Sequence, residues 1–181
     1  MLFFAFKEKD LRGSAGDKDN IILKKENNTP SSKKKGGSGI KDPLNGRIIK
    51  NDGNSNTPVA IMIDNHKNAR PAYGIDKADI VFEAEVEGSI TRYLAIFNDY
   101  KEVEKIGPVR SARPYFINWA SGVSALFVHC GGSPQALATI ARSGIKNLDE
   151  FYKTSRFWRD KTLPRPHNIF TSGKELNDLL E

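Results

Sequence analysis

The 181-residue chain contains one cysteine, Cys130, so an intramolecular disulfide is excluded and cysteine usage says nothing firm about redox compartment. A long hydrophobic run is also lacking. The apolar opening, Met1 to Phe6, covers six residues, against roughly 20 for a membrane span and about 7–15 for the apolar core of a signal peptide. No internal repeat is visible. Neither Gly-x-x-x-x-Gly-Lys-Ser/Thr nor His-Glu-x-x-His occurs, so neither a P-loop nor a helical two-histidine zinc site can be read from its signature.

Acidic residues are scarce in the leading segment. Residues 1–56 hold 12 Lys or Arg against 7 Asp or Glu, whereas residues 57–181 hold 16 against 15. The basic excess therefore belongs to the first segment. There Lys33, Lys34 and Lys35 sit among Ser, Gly, Asn and Pro. So little apolar surface cannot offset the entropy of ordering, and residues 1–56 are expected to be a disordered, dispensable tether. A solvated linker explains the lysines better than a nucleic-acid or anionic-membrane patch, and specific nucleic-acid binding is not expected.

Residues 57–181 have the pattern of one folded domain. Pro58 to Asp64 is a short apolar run rich in β-branched residues that reads as a buried strand ending in Asp64-Asn65-His66, and polar ends of buried strands are where sites gather in layered α/β proteins. Ala78 to Glu87 alternates, and Gly88-Ser89 suits a two-residue turn with Gly first, giving a hairpin over about 78–98. In that register Glu85 faces Arg92. Such a cross-strand pair contributes about 0.2–1 kcal/mol and needs no ligand; alternatively Glu83, Glu85, Glu87 and Arg92 form the polar wall of a cleft. Ala125 to Cys130 is a further strand, and Ser133 caps a helix over Pro134 to Ser143 that stops at Gly144. Ser172-x-x-Glu175 reads as a capping box for a last helix. The expected fold is α/β or α+β, a single domain with a central mixed sheet, the hairpin and flanking helices.

Chemistry concentrates in Ile106-Gly-Pro-Val-Arg-Ser-Ala-Arg113. If Pro108 opens a helix, Arg110 and Arg113 share one face of its first turns beside unpaired N–H groups, which suits an anion. No acid is comparably placed in sequence, so both arginines are expected to lack a protein partner. Ser111 between them is a suggestive hydroxyl with no identifiable local base. Gly131-Gly132-Ser133 between strand and helix has the geometry of a phosphate cradle, although a plain strand-to-helix turn has the same pattern. His66, His129 and His167 read as hydrogen-bonded residues lining a polar cleft; with Asp64 they could also ligate zinc, but without a ligand spacing to support it. Cys130 and His129 are neighbours on a strand and point to opposite faces, so they cannot act together directly.

Five ordered motifs carry a resemblance: Pro58-Val-Ala-Ile-Met-Ile-Asp64-Asn65-His66, Ala78-Asp79-Ile-Val-Phe-Glu83 through Glu87-Gly88-x-Ile-Thr91-Arg92, the arginine motif, His129-x-Gly131-Gly132-Ser133-Pro134 and Pro166-His167-Asn168. From about Thr57 onward the chain resembles the N-terminal domain of the YerB-like lipoproteins of Gram-positive bacteria. The resemblance implies an exported, lipid-anchored protein with a second domain, and it implies no established catalytic residue. The chain departs from that pattern in having no lipid-attachment cysteine, in carrying Cys130 where alanine is usual, and in ending at Glu181. The expectation is therefore an extracytoplasmic protein whose signal or anchor is represented only by the apolar stub and whose second domain lies outside this sequence.

Three functional readings are open. The leading one is a non-catalytic envelope domain that binds a phosphate- or carboxylate-bearing ligand through Arg110, Arg113, Arg70 and Arg159, with Ser111, Gly131, Gly132, Ser133, His129 and His167 as further contacts. The second is a phosphoryl- or glycosyl-phosphate-handling hydrolase or transferase in which Asp64 or Glu83 holds a divalent metal. The layout loosely parallels envelope enzymes that transfer polymers from lipid pyrophosphate carriers. The third is a protein-interaction module using the arginines with Tyr115, Phe157 and Trp158. No cofactor is required by the sequence. Expected partners are an anionic envelope ligand or an envelope protein, with membrane association through the missing N-terminal anchor.

Overall fold

A computed structural model describes residues 3–4, 39–42, 44–50 and 57–180. In chain order the strands and helices are β1 (Phe3–Phe4), β2 (Gly39–Lys41), β3 (Ile48–Lys50), β4 (Val59–Asp64), β5 (Ile80–Glu85), β6 (Thr91–Phe97), α1 (Pro114–Gly122), β7 (Leu126–His129), α2 (Pro134–Ser143), β8 (Asn147–Asp149), β9 (Trp158–Arg159), β10 (Ile169–Phe170) and α3 (Gly173–Leu180). The main sheet runs β1-β5-β6-β4-β7-β8. β4 pairs antiparallel with β6, and β6 with β5, while β4, β7 and β8 run parallel. The expected mixed sheet with a hairpin and flanking helices is present.

β4 lies at the centre, and all six of its residues are buried, its apolar run Val59 to Ile63 being that of a strand covered on both faces. Ile61, Ile63, Ala95, Phe97 and Val128 pack on one face with Ile106, Ile169 and Leu176 of α3. Ala60, Met62, Leu94, Ile96 and Phe127 pack on the other with Phe116, Ile117 and Ala120 of α1 and Ala136 of α2. α2 begins at the expected cap, where Ser133 Oγ accepts from the Ala136 N–H at 3.2 Å, and stops at left-handed Gly144. At α3 the Glu175 N–H donates to Ser172 Oγ at 3.3 Å, but the Glu175 carboxylate turns outward to Arg156 instead of closing the capping box.

Three expectations need correction. The turn after β5 is a single 3-10 turn over Glu87–Ser89, with Gly88 and Ser89 both at positive φ and the Val86 N–H donating to the Ile90 carbonyl at 2.7 Å. Its extra residue moves the register by one: Ala84, not Glu85, faces Arg92, and Glu85 faces Thr91. A one-residue slip changes sheet faces, so Arg92 is freed from the expected partner. No helix starts at Pro108. Residues 106–112 are extended, with bridges Tyr73–Gly107, Ile63–Val109 and Ala112–Gly132, and strand pairing on both sides overrides the proline signal. The helix starts instead at Pro114, where Arg113 is extended as a residue before proline prefers to be. Finally, the folded part begins before Thr57: β2 and β3 form a hairpin, and buried Asp42 accepts from Asn98 Nδ2 at 2.9 Å. The remainder of the expected tether lies outside the described residues.

Candidate functional site

β4 and β7 are paired in register only as far as Ile61–Val128. Beyond that point residues 107–112 enter between them. The Asp64 N–H donates to the Pro108 carbonyl and the Arg110 N–H to the Met62 carbonyl on one side, while the Cys130 N–H donates to the Arg110 carbonyl and the Ala112 N–H to the Gly131 carbonyl on the other. Sequence-distant Arg110 and Ser111 are thus fixed at the carboxyl ends of parallel strands, the usual location for a site in an α/β sheet.

Asp64 stands opposite Arg92 across β4 and β6. Its Oδ1 accepts the His66 N–H at 2.9 Å, and its Oδ2 lies 2.7 Å from His167 Nδ1 and 2.9 Å from Arg110 Nε. The Arg110 contact is ionic without hydrogen-bond alignment, since the buried Nε has no hydrogen-bond partner. The terminal nitrogens of Arg110 meet no acceptor among the described residues. Arg113 makes a two-pronged pair with Glu87, one prong at 2.6 Å, which holds the Glu87 carboxyl down at about 2. The expectation that these two arginines lack protein partners is therefore overturned. Neither acid was foreseeable from local spacing, because Asp64 and Glu87 lie on other elements.

Arg92 is the residue that the register error hid. It is buried, and its Nη1 donates to the Ser111 carbonyl at 2.8 Å. Burial, with Arg113 and Arg110 close by, lowers its guanidinium to about 10, against the opposing pull of Asp64 and Glu87. Three arginines therefore crowd around two carboxylates. Arg70, expected to join these arginines, lies instead on the opposite face of the sheet with Glu83 and Tyr93, where its Nε donates to Asn65 Oδ1 at 3.2 Å. Asn65 in turn donates to Glu83 and Thr91. A recess of about 450 Å³ lined by Asn65, Arg70, Pro71, Ala72, Ile75 and Tyr93 opens on that face. A larger cleft of about 990 Å³, with Leu44, Asp79 and Lys105 in its walls, lies away from the arginine motif.

His66 and His167 stack with ring centroids 4.6 Å apart and planes 8° from parallel. His66 Nδ1 accepts from the Asn68 N–H at 3.1 Å, which places the ring proton on Nε2. In His167 the carboxylate of Asp64 fixes the proton on Nδ1, leaving Nε2 with a lone pair and no partner among the described residues.

The other candidates fall elsewhere. His129 is buried, with Nδ1 2.8 Å from the Gly131 carbonyl and Nε2 3.4 Å from Asn147, so it faces no cleft. In the Gly131-Gly132-Ser133 turn the Gly131 N–H donates to Asp149 Oδ1 at 2.8 Å. A Cβ on Gly131, whose φ is +59°, would lie 2.5 Å from the Phe151 ring. The protein's own carboxylate and an aromatic ring fill the cradle, leaving a strand-to-helix turn. Arg159 donates to Glu150 at 3.1 Å and to Asn168 at 3.3 Å, in a second cluster around Cys130. There burial, reinforced by Glu150, pushes the thiol up to about 12. Asp64 and Glu83 point to opposite faces, since they pair with Arg92 and Tyr93 respectively, so the structure does not bring them to one cation. Among the described residues no group of three or more His, Cys, Asp or Glu is placed to hold a metal, and no helix is long and apolar enough to cross a membrane.

Fold and site together define a mixed α/β domain with an arginine-lined carboxyl edge. Residues 44–181 match the family described as "Protein of unknown function (DUF3048) N-terminal domain", and the chain belongs to that family. It is similar to the Bacillus subtilis (strain 168) protein described as "Putative lipoprotein YerB", with 44% identity over 136 residues, 74% of this chain and 40% of that protein. It is also similar to the crystal structure of the YerB protein from Bacillus subtilis, with TM-score 0.71 and 40% identity, over 77% of this chain and 48% of that one. The chain thus spans less than half the length of the relatives it matches.

Proposed function

We propose that the domain binds a phosphate- or carboxylate-bearing ligand at the carboxyl edge of β4, between Arg92, Arg110 and Arg113. The observation that carries this reading is the imbalance at Arg92: a buried guanidinium is held among like charges, while the terminal nitrogens of Arg110 beside it have no acceptor among the described residues. Like charges crowded out of water are costly, and an anion supplies the missing compensation. Guanidinium forks match the planar oxygen pairs of carboxylate and phosphate. The lipoprotein description of the related Bacillus protein supports placing this domain in the cell envelope.

Calorimetric titration with inorganic phosphate, pyrophosphate and citrate tests the reading. Arg110→Gln removes a charge-assisted contact, and a contribution of about 1.5–3 kcal/mol predicts roughly ten- to hundredfold weaker binding. If none of the three anions binds or protects the wild type against heat, the reading is wrong.

A further inference from the structure

The geometry points to a reaction at this site: we propose that His167 is a general base that activates water for hydrolysis of a phosphoanhydride held by the arginines. The inference rests on the anion-binding reading above. Three features carry it. The Asp64 carboxylate, itself buried and anchored by the His66 N–H, holds His167 Nδ1–H at 2.7 Å, which fixes the tautomer and leaves Nε2 with its lone pair. The side chain of His167 is 12% exposed, so it borders solvent. Arg110 touches the same Asp64 oxygen, so the basic nitrogen and the unfilled guanidinium donors lie within one side chain's reach of each other. An oriented base with guanidinium donors on the same carboxylate is an arrangement that suits acyl and phosphoryl transfer.

The class of substrate is set by what the site lacks. His66 stacks on His167 with its Nδ1 already accepting, so its neutral ring offers a hydrogen bond from Nε2 but no acidic proton. A leaving group that needs protonation, such as an alkoxide, is therefore poorly served. One that departs as a stable anion is well served. In the step proposed, water oxygen bonds to one phosphorus and the water proton passes to His167 Nε2. The bridging P–O bond breaks with its electron pair leaving on the second phosphate, which the arginines hold. His167 then returns its proton to solvent. Asp64 is a positioning residue that acts through the imidazole.

The test uses the 181-residue chain and inorganic pyrophosphate, supplied with and without magnesium, with phosphate release and calorimetric binding measured in parallel. The wild type should bind pyrophosphate and release phosphate. His167→Gln should lower kcat by roughly 10²–10⁴-fold while leaving affinity within about threefold, and the rising limb of the wild-type pH–rate profile should vanish. Asp64→Asn should lower kcat with less effect on KM. Pyrophosphate bound but not cleaved by the wild type, or cleaved equally by His167→Gln, overturns the base role and leaves anion binding intact. Pyrophosphate neither bound nor cleaved overturns both.

Discussion

Arg92→Met should make the ligand-free protein more stable while removing its response to anions. A guanidinium lowered from its ordinary value to about 10 corresponds to roughly 3 kcal/mol held against the charged form, at about 1.4 kcal/mol per pH unit. The sign comes from linkage. The unfolded chain binds the proton more tightly, so the penalty is fully present at neutral pH and is relieved only as pH rises above about 10. Methionine keeps most of the aliphatic stem beside Ala84, its cross-strand neighbour. It gives up the bond to the Ser111 carbonyl, a loss of about 1 kcal/mol where water can reach the group. The net expectation is a gain of about 1–2 kcal/mol, or about 2–8 °C in Tm for a domain of this size. Thermal and urea unfolding in phosphate-free, low-salt buffer measure it, and repetition with pyrophosphate should reverse the ranking of the two proteins. A loss of more than about 1 kcal/mol without anion would refute the reasoning, because Asp64 and Glu87 would then already satisfy Arg92.

Other expectations concern single groups. The Glu87 carboxyl, held at about 2 by Arg113, contributes stability above about pH 4.5 that is lost as pH falls toward 2; Glu87→Gln should flatten that acid limb by at most about 1 kcal/mol, because the side chain is largely exposed. Cys130, raised to about 12, should resist aromatic disulfide reagents at pH 8 in the native protein and react at once in denaturant; rapid native labelling would contradict its burial. Gly131→Ala should cost about 1–3 kcal/mol in urea unfolding, through its left-handed φ and the clash with Phe151, without altering anion affinity.

Much of the fold was legible because it rests on local signals: the buried run at Val59–Asp64, the cap and stop of α2, and the alternation of β5. The site was legible as a set of motifs but not as an arrangement. Pro108 and Pro114 are both good first helical residues, and only the bridges made by Gly107 and Val109 decide between them. Gly88-Ser89 carries the residues of a two-residue turn, yet one additional turn residue reassigns Arg92 from a surface pair to the centre of the site. Asp64 and His167, 103 positions apart, have no sequence relation by which their contact could be read. The Gly-Gly-Ser cradle failed for a similar reason, since the carboxylate that fills it comes from β8.

The insertion of residues 107–112 between β4 and β7 also bears on the kinetics of recognition. Main-chain hydrogen bonds tether this segment on both flanks, so Arg110 and Ser111 have none of the freedom of a loop and cannot fold over a ligand. A guest meets a surface already in its bound shape, which removes the ordering entropy that a closing lid would cost. Association should then be governed by electrostatic encounter, slowing steeply as salt rises, with variation among related ligands confined mainly to their residence times.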